Sequence, residues 1–221
     1  MELPKLQIAL DTFDLPSALG PLQKAHAHID VIEAGTILCL AEGMRAVRVL
    51  RALYPDKPIL ADVRIAEAGS IIANMAFEAG ASWVSVVSGA TLDTVEAVMK
   101  AARQHGGEVQ IELIDPWTDE QARQWRDLGV QQIITHRSRD AEAKGVQEWT
   151  ERDFHDIRRL AAMGFRVTVT GGVTLADIPR FAGVPVGIFI AGRAIRDADD
   201  PAAAAAAFQQ TIRRTYSPVS A

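Results

Sequence analysis

Charged side chains follow short apolar runs at several points of this chain. In the stretch LADVRIAEAG, Asp62, Arg64 and Glu67 come directly after a run that is typical of a buried strand, and Glu33 lies near the end of the run before it. Two facing carboxylates without a cysteine or histidine beside them suit Mg²⁺, which takes oxygen ligands and keeps some water and substrate oxygens. Glu33 and Asp62 therefore predict a metal site. A pair of acids bridged by Arg64 without a metal is the alternative.

The same pattern recurs at other predicted strand ends. Asp11 follows the first run, Glu112 lies near the end of the fifth, and the sixth leads into His136. In a barrel of parallel strands, the active site is built at the carboxyl ends of the strands. These residues predict one functional rim, and scattered, solvated loop charges are the alternative.

Glycines follow the seventh and eighth runs. Thr170, Gly171 and Gly172 end the seventh, and Gly192 and Arg193 end the eighth. Barrels frequently bind phosphate at these two loops, on backbone N–H groups and at a short helix N-terminus. Arg193 can add a charge-assisted hydrogen bond. The two motifs together predict a phosphate site.

Eight β-branched runs must position these residues. We predict strands at 6–10, 29–34, 58–62, 83–87, 109–113, 131–135, 166–170 and 186–190. The segments between them, such as 41–53 and 92–104, have the apolar spacing of helices. Continuous apolar strands favour a parallel sheet covered on both faces. Eight strand–helix units favour a (β/α)₈ TIM barrel, in a single domain over residues 1–221, with a last helix that begins near Pro201. An open doubly wound sheet, which more often has about six strands, is the alternative.

Composition limits the class of protein. The net charge of −5 argues against non-specific binding of nucleic acid. No apolar stretch approaches the ~18 residues of a membrane span, and the first residues, MELPKLQIAL, lack the features of a signal peptide. Cys39 is the only cysteine, so no internal disulfide can form. We expect a cytoplasmic protein with no nucleic-acid or membrane partner.

Seven stretches, in order, resemble one enzyme family. They are LQIALD (6–11), DVIEAGTILCLAEG (30–43), LADVRIAEAG (60–69), VQIEL (109–113), HRSRDA (136–141), VTVTGGV (167–173) and FIAGRAI (189–195). They are similar to the 3-keto-L-gulonate 6-phosphate decarboxylases, a branch of the orotidine 5′-phosphate decarboxylase suprafamily. The resemblance implies a homodimeric (β/α)₈ barrel with its active site at the subunit interface, which binds Mg²⁺ and a phosphorylated sugar acid. It also implies loss of CO₂ from a β-keto acid through an enediolate, which is protonated to L-xylulose 5-phosphate.

The resemblance also implies roles for individual residues. Glu33 and Asp62 would bind the Mg²⁺. The substrate would be bound by Asp11, Thr170, Gly171, Gly172, Gly192 and Arg193. The delivery of a proton would involve Glu112, His136 and Arg139.

One signature departs from the family. The family pattern is Asp-x-Lys-x-x-Asp, whereas this chain has Asp62-x-Arg64-x-x-Glu67. Arginine is a planar fork that stays charged, and it does not replace lysine without a change of geometry. In the family, the lysine lies against the enediolate and the second acid comes from the partner subunit. We expect Arg64 to act as a fixed cation on the substrate carboxylate or the enediolate, oriented by Glu67. The exchange either tunes the decarboxylation or marks another substrate.

Other functions remain open at this point. One is an Mg²⁺-dependent aldolase similar to 3-hexulose 6-phosphate synthase, which shares the enediolate. Another is an isomerase or decarboxylase that acts on a different keto acid or ketose phosphate. A third is a non-catalytic protein that binds phosphosugars. Arg139, within HRSRDA, favours the decarboxylase branch, because the synthases resemble His-Thr-Gly there.

Overall fold

Eight parallel strands close into a barrel. The computed structural model describes residues 2–114, 116–136 and 149–217. In these ranges each strand pairs with the next along the chain, and the last pairs with the first. The strands are β1 Lys5–Leu10, β2 Val31–Ala34, β3 Ile59–Ile65, β4 Trp83–Val87, β5 Glu108–Leu113, β6 Gln132–His136, β7 Arg166–Thr170 and β8 Ile188–Ala191. The closed barrel confirms the predicted (β/α)₈ fold and excludes the open sheet.

Helices cover the outside of this barrel. They are α1 Leu15–Ala25, α2 Thr36–Glu42, α3 Arg45–Leu53, α4 Gly69–Glu78, α5 Leu92–His105, α6 Asp119–Asp127, α7 Glu151–Ala162, α8 Arg193–Arg196 and α9 Pro201–Tyr216. In the part of the chain that is described, no helix combines the length and the apolar character needed to cross a membrane.

Several sequence predictions of element bounds were wrong, among them two strand bounds: β3 extends to Ile65 rather than to 62, and β8 begins at Ile188 rather than at 186. The segment 41–53 is not one helix, because Gly43 takes a positive φ of 59° and separates α2 from α3. The second strand begins at Val31 and not at 29, because the Ile29 N–H bonds back to the His26 carbonyl and completes a turn. The last helix begins at Pro201 as predicted, with the Asp200 side chain as its N-cap.

On β2 and β3, the residues that face the inside of the barrel change from apolar to charged along each strand. A separate apolar cluster consists of Val31, Leu60, Trp83 and Ile188. Glu33 and Asp62 lie two residues after Val31 and Leu60, so their side chains point to the same inner face. The apolar cluster lies towards the N-terminal end of these strands, beside a polar group of Glu108, Gln132 and Arg166, and Glu33 and Asp62 lie nearer the C-terminal end.

Candidate active site

A cavity of about 760 Å³ opens at the C-terminal ends of the strands. The predicted site residues in its lining are Asp11, His136, Thr170, Gly171, Gly172, Gly192 and Arg193. The inward charged residues of β2, β3 and β5 belong to a second, more buried group. The structure therefore separates a cavity over β1 and β6–β8 from a cluster of charges on β2–β5.

The residues that were predicted to bind phosphate lie together at one end of this cavity. Gly171 and Gly172 turn the chain after β7 with φ values of 99° and 68°. Residues other than glycine rarely adopt such positive φ values. Gly192 follows β8, and α8 begins at Arg193. The ends of β7 and β8 are neighbours in the sheet, so the two glycine turns lie side by side. This is the place where barrels commonly bind phosphate.

Asp11 is held by hydrogen bonds from two neighbouring helices, α2 and α8. Its Oδ1 accepts a hydrogen bond from the Ile37 N–H at 3.3 Å. A Cβ atom on Gly35 would lie 2.4 Å from the same oxygen, so only glycine allows this approach. Arg196 of α8 donates to the Asp11 carbonyl oxygen at 2.8 Å. The Asp11 carboxylate is thereby held at the edge of the cavity, beside the turn that begins α8.

Glu33 is a buried carboxylate with other acids nearby. It is 6% exposed, and the Gln7 Nε2 donates to its Oε2 at 2.6 Å. Burial raises the pKa of Glu33 well above its usual range, and the negative charges of Asp62, Asp11 and Glu112 raise it further, while the Gln7 hydrogen bond acts against them. A cation beside Glu33 would remove this unfavourable accumulation of negative charge.

Both carboxylate oxygens of Asp62 accept hydrogen bonds. Ser85 Oγ donates to Oδ1 at 2.7 Å, and Thr36 Oγ1 donates to Oδ2 at 2.5 Å. The Arg64 Nε lies 3.7 Å from Oδ2. Sequence reasoning missed Ser85 and Thr36. The only local signal for Ser85 is a polar residue inside the apolar run WVSVV.

Arg64 contacts a different acid from the one expected. Its Nη2 lies 2.8 Å from Glu112 Oε1, and the His136 Nε2 lies 4.0 Å from that same oxygen. The Glu67 side chain is exposed, and within the ranges described no hydrogen bond or ion pair joins it to Arg64. Within one chain, Glu112 rather than Glu67 is thus the carboxylate that holds Arg64, because Glu67 comes after the end of β3 and outside the barrel interior. The alternative in which Arg64 bridges Glu33 and Asp62 is not what the structure shows.

Glu33 and Asp62 are the residues that could hold a metal. The described ranges contain no group of three His, Cys, Asp or Glu side chains arranged to bind a metal ion. Mg²⁺ held by two carboxylates would complete its shell with water and substrate oxygens, as Mg²⁺ usually does. The donors are oxygens, and the charge around Glu33 favours a cation. The residues therefore fit Mg²⁺. Arg139, predicted for proton delivery, lies outside the described residues.

Comparisons with known proteins identify the family of this chain. The sequence model described as the orotidine 5′-phosphate decarboxylase / HUMPS family matches residues 4–208. Over 216 residues the chain is 51% identical to the 3-keto-L-gulonate-6-phosphate decarboxylase UlaD of Salmonella paratyphi B, a match that covers 98% of this chain and 100% of that protein.

Solved structures of proteins with related names also match this chain. The crystal structure of a ligand complex of KGPDC from Streptococcus mutans superposes with a TM-score of 0.95 and 44% identity, over 97% of this chain and 100% of that one. The 3-hexulose-6-phosphate synthase from Salmonella typhimurium has a TM-score of 0.88 and 28% identity, over 96% and 100% of the two chains. The family model over residues 4–208 and the 51% identity over 98% of the chain show that the chain belongs to the orotidine 5′-phosphate decarboxylase / HUMPS family.

Proposed function

We propose that this protein is an Mg²⁺-dependent decarboxylase that converts 3-keto-L-gulonate 6-phosphate to L-xylulose 5-phosphate and CO₂ through an enediolate. The observation that carries the proposal is the 51% identity, over 98% of the chain, to a protein of that name. This relationship makes the chain a carboxy-lyase of the same type. The lower identity of 28% to a 3-hexulose-6-phosphate synthase makes the aldolase the second candidate.

The two parts of the site contact different parts of the substrate. The backbone N–H groups at Gly171, Gly172 and Gly192, together with Arg193, bind the phosphate, and Asp11 accepts hydrogen bonds from the sugar hydroxyls. Holding the substrate at both ends fixes the β-keto acid in one orientation and lowers the entropic part of the barrier. The reacting carbons then lie towards the charged residues of β2, β3 and β5.

Those charged residues act on the negative charge that develops when CO₂ leaves. Glu33 and Asp62 would hold the Mg²⁺, which when bound supplies a positive charge to the oxygens of the enediolate. Arg64 adds a second, permanent positive charge from β3. It cannot act as an acid, because an arginine side chain stays protonated in proteins.

Protonation of the enediolate needs a different group. His136 lies at the edge of the cavity, with its Nε2 4.0 Å from Glu112 Oε1. A histidine exchanges protons near neutral pH. We assign His136 and Glu112 to proton delivery, with Arg139 as a further member of this group from the sequence.

A homodimer would complete the site. Ile71 and Met75 of α4 are 64% and 54% exposed and lie four residues apart, so they share one face of the helix. Glu67 lies two residues before α4 begins at Gly69. Two copies that bury this face would bring Glu67 of one subunit towards the other, which supports the predicted interface role. A cytoplasmic location also agrees with a phosphorylated substrate, because a charged phosphate does not cross a membrane unaided.

One experiment separates the candidate functions. The purified protein is given a panel of phosphorylated keto acids and ketoses, and release of CO₂ and uptake of formaldehyde are measured in parallel, with Mg²⁺ and after chelation. We expect Mg²⁺-dependent CO₂ release from 3-keto-L-gulonate 6-phosphate. Formaldehyde uptake without CO₂ release would identify an aldolase, and binding without either reaction would identify a non-catalytic phosphosugar-binding protein.

A further inference from the structure

We propose that Ser85 is a positioning residue, which holds the carboxylate of Asp62 and the cation of Arg64 in one fixed arrangement. The proposal rests on the proposed function in one respect, since it treats Asp62 as a ligand of Mg²⁺. Neither the family resemblance nor the position of Ser85 in the sequence assigns this residue a role.

The hydroxyl of Ser85 makes two hydrogen bonds at once. It donates its proton to Asp62 Oδ1 at 2.7 Å, and its oxygen accepts the backbone N–H of Arg64 at 2.8 Å. Both distances are normal for strong hydrogen bonds. Ser85 is completely buried, so water does not compete for these bonds. An alanine at this position could make neither of them.

Ser85 lies opposite an irregularity in the sheet. Ala61 of β3 pairs with Val84 of β4, but the next pair is Ile65 with Val86, so β3 takes four steps where β4 takes two. The extra residues between Ala61 and Ile65 form a bulge that contains Asp62 and Arg64. Bulges next to active sites change the direction in which side chains point. At this bulge the Arg64 N–H bonds to the side chain of Ser85 instead of to a backbone carbonyl of β4.

The backbone of Arg64 needs such support. Its φ is +47°, in the left-handed region that residues other than glycine seldom adopt. A conformation of this kind persists where the surrounding structure holds it. From this turn the Arg64 side chain reaches Glu112 on β5, with an Nη2–Oε1 distance of 2.8 Å. Ser85 therefore acts directly on Asp62 and, through Arg64, on Glu112.

Thr36 offers a matched control. It donates to Asp62 Oδ2 at 2.5 Å, from α2 on the other side of the carboxylate. Replacing Thr36 with valine removes one hydrogen bond to Asp62 and keeps the shape of the side chain. It does not touch the backbone of Arg64. Loss of either hydroxyl should therefore disturb Asp62, whereas only the loss of the Ser85 hydroxyl should also disturb Arg64.

The test compares Ser85→Ala, Ser85→Thr and Thr36→Val in the full chain. Titration calorimetry measures the affinity for Mg²⁺ alone, and amide hydrogen exchange measures the protection of the Arg64 N–H. We expect Ser85→Ala to weaken Mg²⁺ binding by about 10-fold or more, as is usual when a residue that orients a ligand is lost, and to speed exchange at Arg64. Ser85→Thr, which keeps the hydroxyl, should restore both properties. Thr36→Val should weaken Mg²⁺ binding and leave exchange at Arg64 unchanged.

Each other result counts against a specific claim. Unchanged Mg²⁺ affinity and unchanged Arg64 exchange in Ser85→Ala would overturn the proposal, and so would equal losses in the alanine and threonine variants. If the unaltered protein binds no Mg²⁺, the metal site of the proposed function is wrong. The exchange rate of the Arg64 amide still decides, in that case, whether Ser85 holds the bulge.

Discussion

Arg64 and Glu112 form an ion pair across the inside of the barrel, with 2.8 Å between Nη2 and Oε1. The two residues are 48 positions apart, on β3 and β5, with β4 between them. The Glu112 side chain is only 4% exposed, and a carboxylate so deeply buried is unfavourable without a positive partner. The arginine that departs from the family signature therefore has a definite function in this chain: it compensates Glu112.

The metal site gives the first prediction. Asp62→Asn should abolish Mg²⁺ binding and lower kcat by about 100-fold or more, because a bound cation contributes several kcal/mol to stabilising the developing charge. Calorimetry and CO₂ release measure the two effects. Asp93→Asn, an exposed acid in the first turn of α5, is the control and should behave as the unaltered protein. Full activity of Asp62→Asn, or of the chelated protein, would exclude a metal at Asp62.

Glu33 gives a prediction about stability and pH. Its pKa is raised in the folded protein, so the folded state binds a proton more tightly than the unfolded state does. Without metal, stability should therefore fall as the pH rises from the ordinary carboxyl pKa towards the raised one. Glu33→Gln removes this loss of stability and should raise the Tm of the metal-free protein at neutral pH. The rise should be about 2–4 °C for each kcal/mol gained in the free energy of unfolding.

Thermal unfolding with and without Mg²⁺ checks this expectation. Added Mg²⁺ should stabilise the unaltered protein and have little effect on Glu33→Gln. The difference in Tm between the two proteins should shrink as the pH is lowered towards the pKa of an ordinary carboxyl group, because position 33 then carries a neutral side chain in both proteins. A lower Tm of Glu33→Gln at neutral pH without metal would show that Glu33 is compensated by some other group.

Much of this site could be predicted from the sequence, and the reason is the regularity of the fold. In a parallel barrel every strand delivers its last residues to the same rim, so a residue such as Glu33 or Asp62 can be placed from its position in an apolar run alone. The contacts between strands could not be predicted in this way. Ser85 and Glu112 meet β3 from 21 and 48 positions further along the chain, and nothing in the local pattern around Arg64 indicates either one.

Arg193 gives a prediction about substrate class. Arg193→Ala should raise KM for phosphorylated substrates by about 10- to 100-fold, the range expected for a lost hydrogen bond to a charged group. Dephosphorylated analogues should bind the variant and the unaltered protein with similar affinity. Binding measurements with matched pairs of ligands test this directly. An equal loss for both members of a pair would show that Arg193 does not recognise the phosphate.

His136 gives a prediction about the order of events. His136→Gln should reduce the stereospecificity of proton incorporation more than the rate of CO₂ release, because the histidine acts after the carbon–carbon bond has broken. Reaction in deuterated water, followed by NMR of the product, measures both. Fully stereospecific labelling together with a collapse of CO₂ release would place His136 in the earlier step.

The last prediction concerns the two residues that depart from the family signature. Arg64→Lys keeps the charge and loses the planar fork that reaches Glu112, while Glu67→Asp shortens an exposed acid that precedes α4. If the pair tunes an existing decarboxylase, the double variant should keep or gain activity on 3-keto-L-gulonate 6-phosphate. Each single variant should be less active than the double variant, because the two residues then act as a unit across the subunit interface.

The structure adds a distinction between the two single variants. Arg64 holds the buried Glu112, so Arg64→Lys should also lower the Tm, whereas Glu67→Asp, at an exposed position, should leave it nearly unchanged. A double-mutant cycle on kcat/KM measures the coupling between positions 64 and 67, and thermal unfolding measures the loss at Glu112. Additive effects on kcat/KM would separate Glu67 from Arg64. Absence of CO₂ release by the unaltered protein, with release by the double variant, would show that the exchange has moved this chain to a different substrate.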